Sequence, residues 1–135
     1  MIQRDFILRQ IQQLVQVLTR VLKLKQDGQT TEVAAVVDTA LQETMGMGLG
    51  DLAALPADDL LALCSENGQL HADKAFVVAE LLEASFIDGV AEDAPANPLK
   101  AALLLYEALV ASGEAVPFDI YDRIAYLKQE ISPGA

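Results

Sequence analysis

Residues 5–27 carry an unbroken helical pattern that ends on a glycine, and this stretch restricts the fold more than any other feature of the chain. At about 100° per residue, Ile7, Leu8, Ile11, Leu14, Val15, Leu18, Val21 and Leu22 fall in one broad sector. Arg9, Gln12, Gln13, Gln16, Thr19, Arg20 and Lys23 fall opposite. Phe6, Val17 and Leu24 lie on the flank and widen the apolar sector to about half the circumference. One neighbouring helix covers a narrower stripe, so this helix needs at least two partners. Asp5 suits its N-cap. Gly28 stands where a left-handed C-cap belongs. Thr30 or Thr31 then caps a second helix, with Glu32 near its positive end. Val33, Val36, Val37, Ala40 and Leu41 continue at helical spacing. So short a connection makes antiparallel neighbours, and residues 5–45 read as an αα-hairpin.

Gly46, Gly48 and Gly50 stop the second helix and turn the chain. They do not make a phosphate loop: a helix precedes them, Asp51 follows, and no lysine is near. A short helix follows over 57–64, with Asp58 and Asp59 in its first turn. Adjacent helical residues point about 100° apart, so these two favour the helix N-terminus rather than a shared metal. "SENGQL" reads as a loop around Gly68, and a fourth helix runs over 72–89. "EDAPANP" is an interhelix loop, too short for a domain boundary. Asn97 and Pro98 open a fifth helix, closed by Gly113. That helix is apolar on several sides and is expected to be the most buried. Pro117 opens the sixth, with Phe118, Tyr121, Ile124, Ala125 and Leu127, and "SPGA" reads as a frayed tail. The predicted fold is all-α: one domain over 1–135, with five to six helices in antiparallel αα-hairpins and a second helical unit at 57–131.

Composition agrees. Apolar residues make up 53% of 135, mostly Leu, Ala and Val, with no Trp. That mix suits packed helices. No apolar run approaches the roughly 18–20 residues of a membrane helix. "MIQRDFILRQIQQ" interrupts its apolar residues with Gln and Arg, which argues against a secretory signal and for the cytoplasm. The net charge is −11, unevenly spread. Residues 1–27 hold five cations against two acids, and the remainder holds 18 acids against Lys74, Lys100, Arg123 and Lys128. Such a body repels nucleic acid and anionic lipid. The basic first helix balances it.

The chain is poor in catalytic sets. Its single Cys64 excludes an internal disulfide and a multi-cysteine zinc site. Cys64 and the single His71 flank one loop, but no activating or orienting third group accompanies them, and acids surround them. Cys64 ends the run "LLALC", as a small core hydrophobe does, and His71 reads as a cap or a solvated group. One imidazole would have to serve any of Ser65, Ser85, Ser112 or Ser132, and one His cannot supply a di-iron bundle. Glu80 and Glu83 share a helix face, read here as solvated. Tyr106 is expected to reach a polar partner from a buried helix. No catalytic, cofactor or metal residue is assigned.

"LKLKQDGQTTEVAAVVDTALQ" resembles the turn and second helix of a tetratricopeptide repeat, with Val33, Val37 and Ala40 at the expected spacing. "PLKAALLLYEALVASG" resembles a second such helix through Ala102 and Tyr106, with Leu109 where alanine is usual. The chain is also similar to a family of small bacterial all-helical proteins of unassigned function, through "DFILRQIQQL", "LYEAL" and "FDIYDRIAYLKQEI". The resemblance implies tetratricopeptide-like stacking and no catalytic residues. Repeat hairpins bury little alone and must stack. The sequence therefore points to a non-catalytic protein-interaction module and a possible homodimer, with Phe6, Leu8, Val15, Val17, Leu22 and Leu24 as interface candidates. The competing arrangement buries helix 1 centrally against helices 2 and 6 of its own chain. A small-ligand or metal-binding regulator using acidic residues is the alternative function.

Overall fold

The computed structural model describes residues 2–86, 98–113, 116 and 119–131, with side chains from Phe6 onward. Seven α-helices occur among them: α1 (Ile2–Gln26), α2 (Val33–Met45), α3 (Leu49–Ala53), α4 (Ala57–Leu63), α5 (Ala72–Ser85), α6 (Pro98–Ala111) and α7 (Ile120–Ile131). A two-stranded ribbon, β1 (Ser65–Glu66) and β2 (Gln69–Leu70), joins α4 to α5. The fold is all-α apart from this ribbon.

The first hairpin forms as its residues dictate. Gly28 takes φ +78° and turns the chain out of α1, while Gln29 N returns to the Leu24 carbonyl at 2.8 Å. Two local expectations fail. α1 begins ahead of Asp5, so Asp5 is not its N-cap. Thr30 and Thr31 do not cap α2 either. Residues Thr30–Glu32 form a 3-10 turn leading straight into the helix, with no side-chain cap. Gln10 pins the hairpin from the other end, its Nε2 donating to the Thr44 carbonyl at 2.6 Å.

The glycine stretch holds a helix as well as a turn. Gly46, at φ +76°, ends α2. α3 then starts at Leu49, whose N–H donates to Asp38 Oδ1 at 2.7 Å. Asp38 lies on α2 and is steadied by Gln42 Nε2 at 2.9 Å. The sequence offers only a five-residue helix capped from a distance, so local pattern could not reveal it. "SENGQL" is likewise more than a loop. Asn67 (φ +54°) and Gly68 (φ +80°) are the two left-handed central residues of a hairpin turn.

α5 is the most enclosed helix, with nine buried residues of 14 against six of 14 in α6. The sequence favoured α6 because its residues are apolar on several sides. Position decides instead: α5 packs against α1, α2 and α6 at once. Its helix ends at Ser85 with Phe86 extended, short of the expected 89, and 87–89 lie outside the described residues. α1 packs chiefly on α2 and α5, so helix 2 is one of its expected intrachain partners, but the last helix, α7, sits against α6 instead. α7 turns Ile120 and Leu127 inward, with Ile124 and Ile131 packed against the core, and leaves Tyr121 and Tyr126 exposed. Pro117, Phe118, Asn97, most of "EDAPANP" and "SPGA" lie outside the described residues.

Helix directions follow from shared clefts. Ile11, Val15 and Leu18 border the same groove as Ala72, Phe76 and Glu80, whereas Lys25 borders a second cleft with Glu83 and Ala84. α1 and α5 therefore run the same way. Leu99 meets the C-terminal end of α5 and Leu109 its N-terminal end, so α6 runs opposite.

Candidate functional site

Two places depart from an ordinary packed helical domain. One is a polar cluster joining α5, α6 and α7. The other is the outer face of α1 with the groove beside it.

The polar cluster centres on Arg123. Its Nε donates to Asp119 Oδ2 at 3.2 Å, one turn back on α7. Its Nη1 lies 3.8 Å from Glu80 Oε1 and donates to Tyr106 Oη at 3.4 Å. The guanidinium carbon sits 5.6 Å from the centre of the Phe76 ring, a cation–π distance. Tyr106 in turn donates to Glu83 Oε1 at 2.8 Å, and its ring meets Phe76 edge-on at 6.1 Å. Glu80 and Glu83 are thus partly buried and engaged, which corrects the solvated-face reading. Their spacing on α5 was visible in the sequence. The helices that cover them were not.

Burial sets the local proton affinities. It raises the Glu80 carboxyl above its ordinary value, with Arg123 opposing and Glu83 and Asp119 adding to the rise. Burial also raises the Tyr106 phenol, reinforced by the carboxylate of Glu83. Partial burial works against the charged form of Arg123, but Tyr106, Glu80 and Asp119 more than offset it. The cluster therefore holds a neutral phenol donating to a carboxylate and a permanent cation among three acids. That arrangement ties α7 to α5 and α6. Among the described residues, no three His, Cys, Asp or Glu converge to hold a metal ion.

Cys64 and His71 do not form a dyad. The thiol is buried, and burial pushes it up to about 11, with Lys74 opposing. His71 caps α5, its Nδ1 accepting from Lys74 N at 3.4 Å, and its Nε2 lies 4.0 Å from Glu66 Oε2. Lys74 is itself buried, which lowers its ammonium below the ordinary value.

On α1, the six interface candidates divide. Phe6 (61% exposed), Leu8 (45%), Val15 (46%) and Leu22 (52%) face outward. Val17 and Leu24 are half-buried and packed against the core, Val17 beside α2. The broad apolar sector is thus shared: Leu14 and Val21 fill the core, and an outer strip is left uncovered. Beside that strip lies a groove of about 420 Å³ lined by Ile11, Val15, Leu18, Phe76, Val77 and Leu109. Asp73 and Glu80 of α5 stand on its wall. Sequence reasoning missed Ile11, Leu18, Asp73 and Phe76 as surface-forming residues. The spacing of 73, 76 and 80 on one helix face was the available signal.

No protein-family model, no curated protein and no solved structure matches the chain. Among the described residues, no helix is long and apolar enough to cross a membrane.

Proposed function

We propose that the chain is a non-catalytic helical interaction module that associates with itself through the outer face of α1. One observation carries this reading: Leu8, Val15 and Leu22, each about half exposed, lie along a single face of a 25-residue helix. Scattered exposed leucines need no explanation, whereas an aligned strip beside an apolar groove marks an interaction surface. The charge pattern supports it, because a basic helix attached to an acidic body is complementary to a second copy.

The stacking is read as tetratricopeptide-like. α1 with α2 and α5 with α6 serve as two hairpins whose first helices run the same way. The positions that carry the resemblance are Val33, Val37 and Ala40 on α2 and Ala102, Tyr106 and Leu109 on α6, and all are buried. α3, α4 and the β ribbon separate the two hairpins. The likeness to small bacterial all-helical proteins belongs to the same proposal. So does a cytoplasmic setting, which suits an unpaired thiol.

Light scattering across a concentration series tests the proposal. The expected result is a mass twice that of the chain, falling on dilution. A monomer at the highest concentration reached would end it. The partial burial of Glu80 and Glu83 favours one alternative, a small-ligand regulator. Glu83 borders a mixed cleft of about 440 Å³ with Lys25, Tyr126 and Glu130. Thermal-shift screening of small cationic ligands distinguishes it.

A further inference from the structure

Leu8, Ile11, Val15, Leu18 and Leu22 follow one another at intervals of three, four, three and four. That is the heptad spacing of a coiled-coil seam, with Leu8, Val15 and Leu22 at one core position and Ile11 and Leu18 at the other. The first set is exposed and the second is half-buried along the groove with α5. The seam is thus already backed by α5 on one side and open on the other. Its outer flank carries Gln12, Thr19 and Gln26, which are uncharged and exposed, so nothing there repels a second helix.

We infer that this seam takes the α1 helix of a second copy, running antiparallel. The inference rests on the self-association reading and specifies its geometry. Charge selects the orientation. The heptad places Lys25 in the seam one step beyond Leu22. A parallel pair would set the two Lys25 side chains against each other in the seam. An antiparallel pair removes this encounter. In the register where Val15 of one copy faces Leu18 of the other, Leu22 faces Ile11 and Lys25 faces Leu8. The aliphatic stem of Lys25 then covers Leu8.

The α5 wall completes the match. α5 runs with α1, and its residues 72–80 share the groove with residues 11–18. Asp73 therefore stands near the height of Ile11 and Gln12. In the antiparallel register the partner's Lys25, at its seam position opposite Leu8, arrives close to that level. The Lys25 ammonium of one copy thus approaches Asp73 on the α5 wall of the other, twice by symmetry.

Two measurements test this. Leu8→Cys and Lys25→Cys are surface replacements, and native Cys64 is buried and stays out of the reaction. Mixed and mildly oxidised, the two variants are expected to give a cross-linked heterodimer, while neither cross-links to itself. Self-cross-linking of each variant alone would overturn the antiparallel seam and leave self-association standing. Val15→Glu is expected to weaken dimerisation by roughly tenfold or more, with an unchanged helical circular dichroism spectrum. Gln13→Glu, on the opposite side of α1, is expected to leave it unchanged. A dimer indifferent to Val15→Glu uses another surface; it sinks the inference and the α1 face of the reading beneath it, and leaves only self-association standing. A wild-type monomer sinks both the inference and the reading beneath it.

Discussion

Tyr106 Oη donates to Glu83 Oε1 at 2.8 Å across the α5–α6 interface, and the same hydroxyl accepts from Arg123 of α7 at 3.4 Å. One buried phenol therefore joins three helices. The Phe76 ring packs edge-on against Tyr106 and beneath Arg123, so the polar contacts rest on an aromatic base.

Removing that hydroxyl leaves a partly buried carboxylate without its donor and a guanidinium without one acceptor. Tyr106→Phe is expected to lower unfolding free energy by about 1–2 kcal/mol, below the full value of a charged hydrogen bond because Glu83 is partly solvated. Urea unfolding followed by circular dichroism measures it. No change in midpoint would mean that water replaces the bond without penalty.

The raised Glu80 carboxyl makes a pH prediction. Burial favours its protonated form in the native state. Between the ordinary glutamate value and the raised native one, the folded chain holds more protons than the unfolded chain. Stability from this group is complete below that window and is lost as pH rises through it. Unfolding of wild type and Glu80→Gln, compared from mildly acid to neutral pH, should show the wild type losing ground to the variant. A constant difference across the range would mean that Glu80 is solvated.

Gly48 lies against the carboxylate that caps α3. A Cβ there would stand 2.6 Å from Asp38 Oδ1, although its φ of −75° suits any residue. Gly48→Ala must therefore push Asp38 away from Leu49 N. Asp38→Ala, which deletes the cap, is expected to cost about 1 kcal/mol. The two replacements together should cost less than their sum, because each removes the same contact. Additive losses in a double-mutant cycle by thermal unfolding would contradict this coupling.

Cys64 should be inert until the chain opens. Its thiol is raised from 9.0 to about 11, so its thiolate fraction near pH 8 falls by about a hundredfold on that ground alone. Labelling with an aromatic disulfide reagent is expected to be slow in buffer and rapid in urea. Rapid labelling of the native protein would place the thiol at the surface.

The sequence by itself determined the local elements with a strong period. α1, α2, α5, α6 and α7 were each legible because apolar side chains at helical spacing must be covered whatever covers them. Gly28 was legible for a similar reason, since a left-handed turn excludes most other residues. The short α4 was legible at 57–64 as well, but two small elements were not. α3 is capped by Asp38 from another helix, and the ribbon at Asn67–Gly68 is only two residues long on each side.

Only the tertiary structure decided which apolar faces were filled. α1 offers a half-circumference of apolar residues, and nothing in its own pattern says that Leu14 and Val21 are enclosed while Val15 and Leu22 are left outside. Glu80 and Glu83 became partly buried because α6 and α7 bring Tyr106 and Arg123 over them. Periodicity is a property of one segment, whereas burial depends on what the remaining segments bring to it.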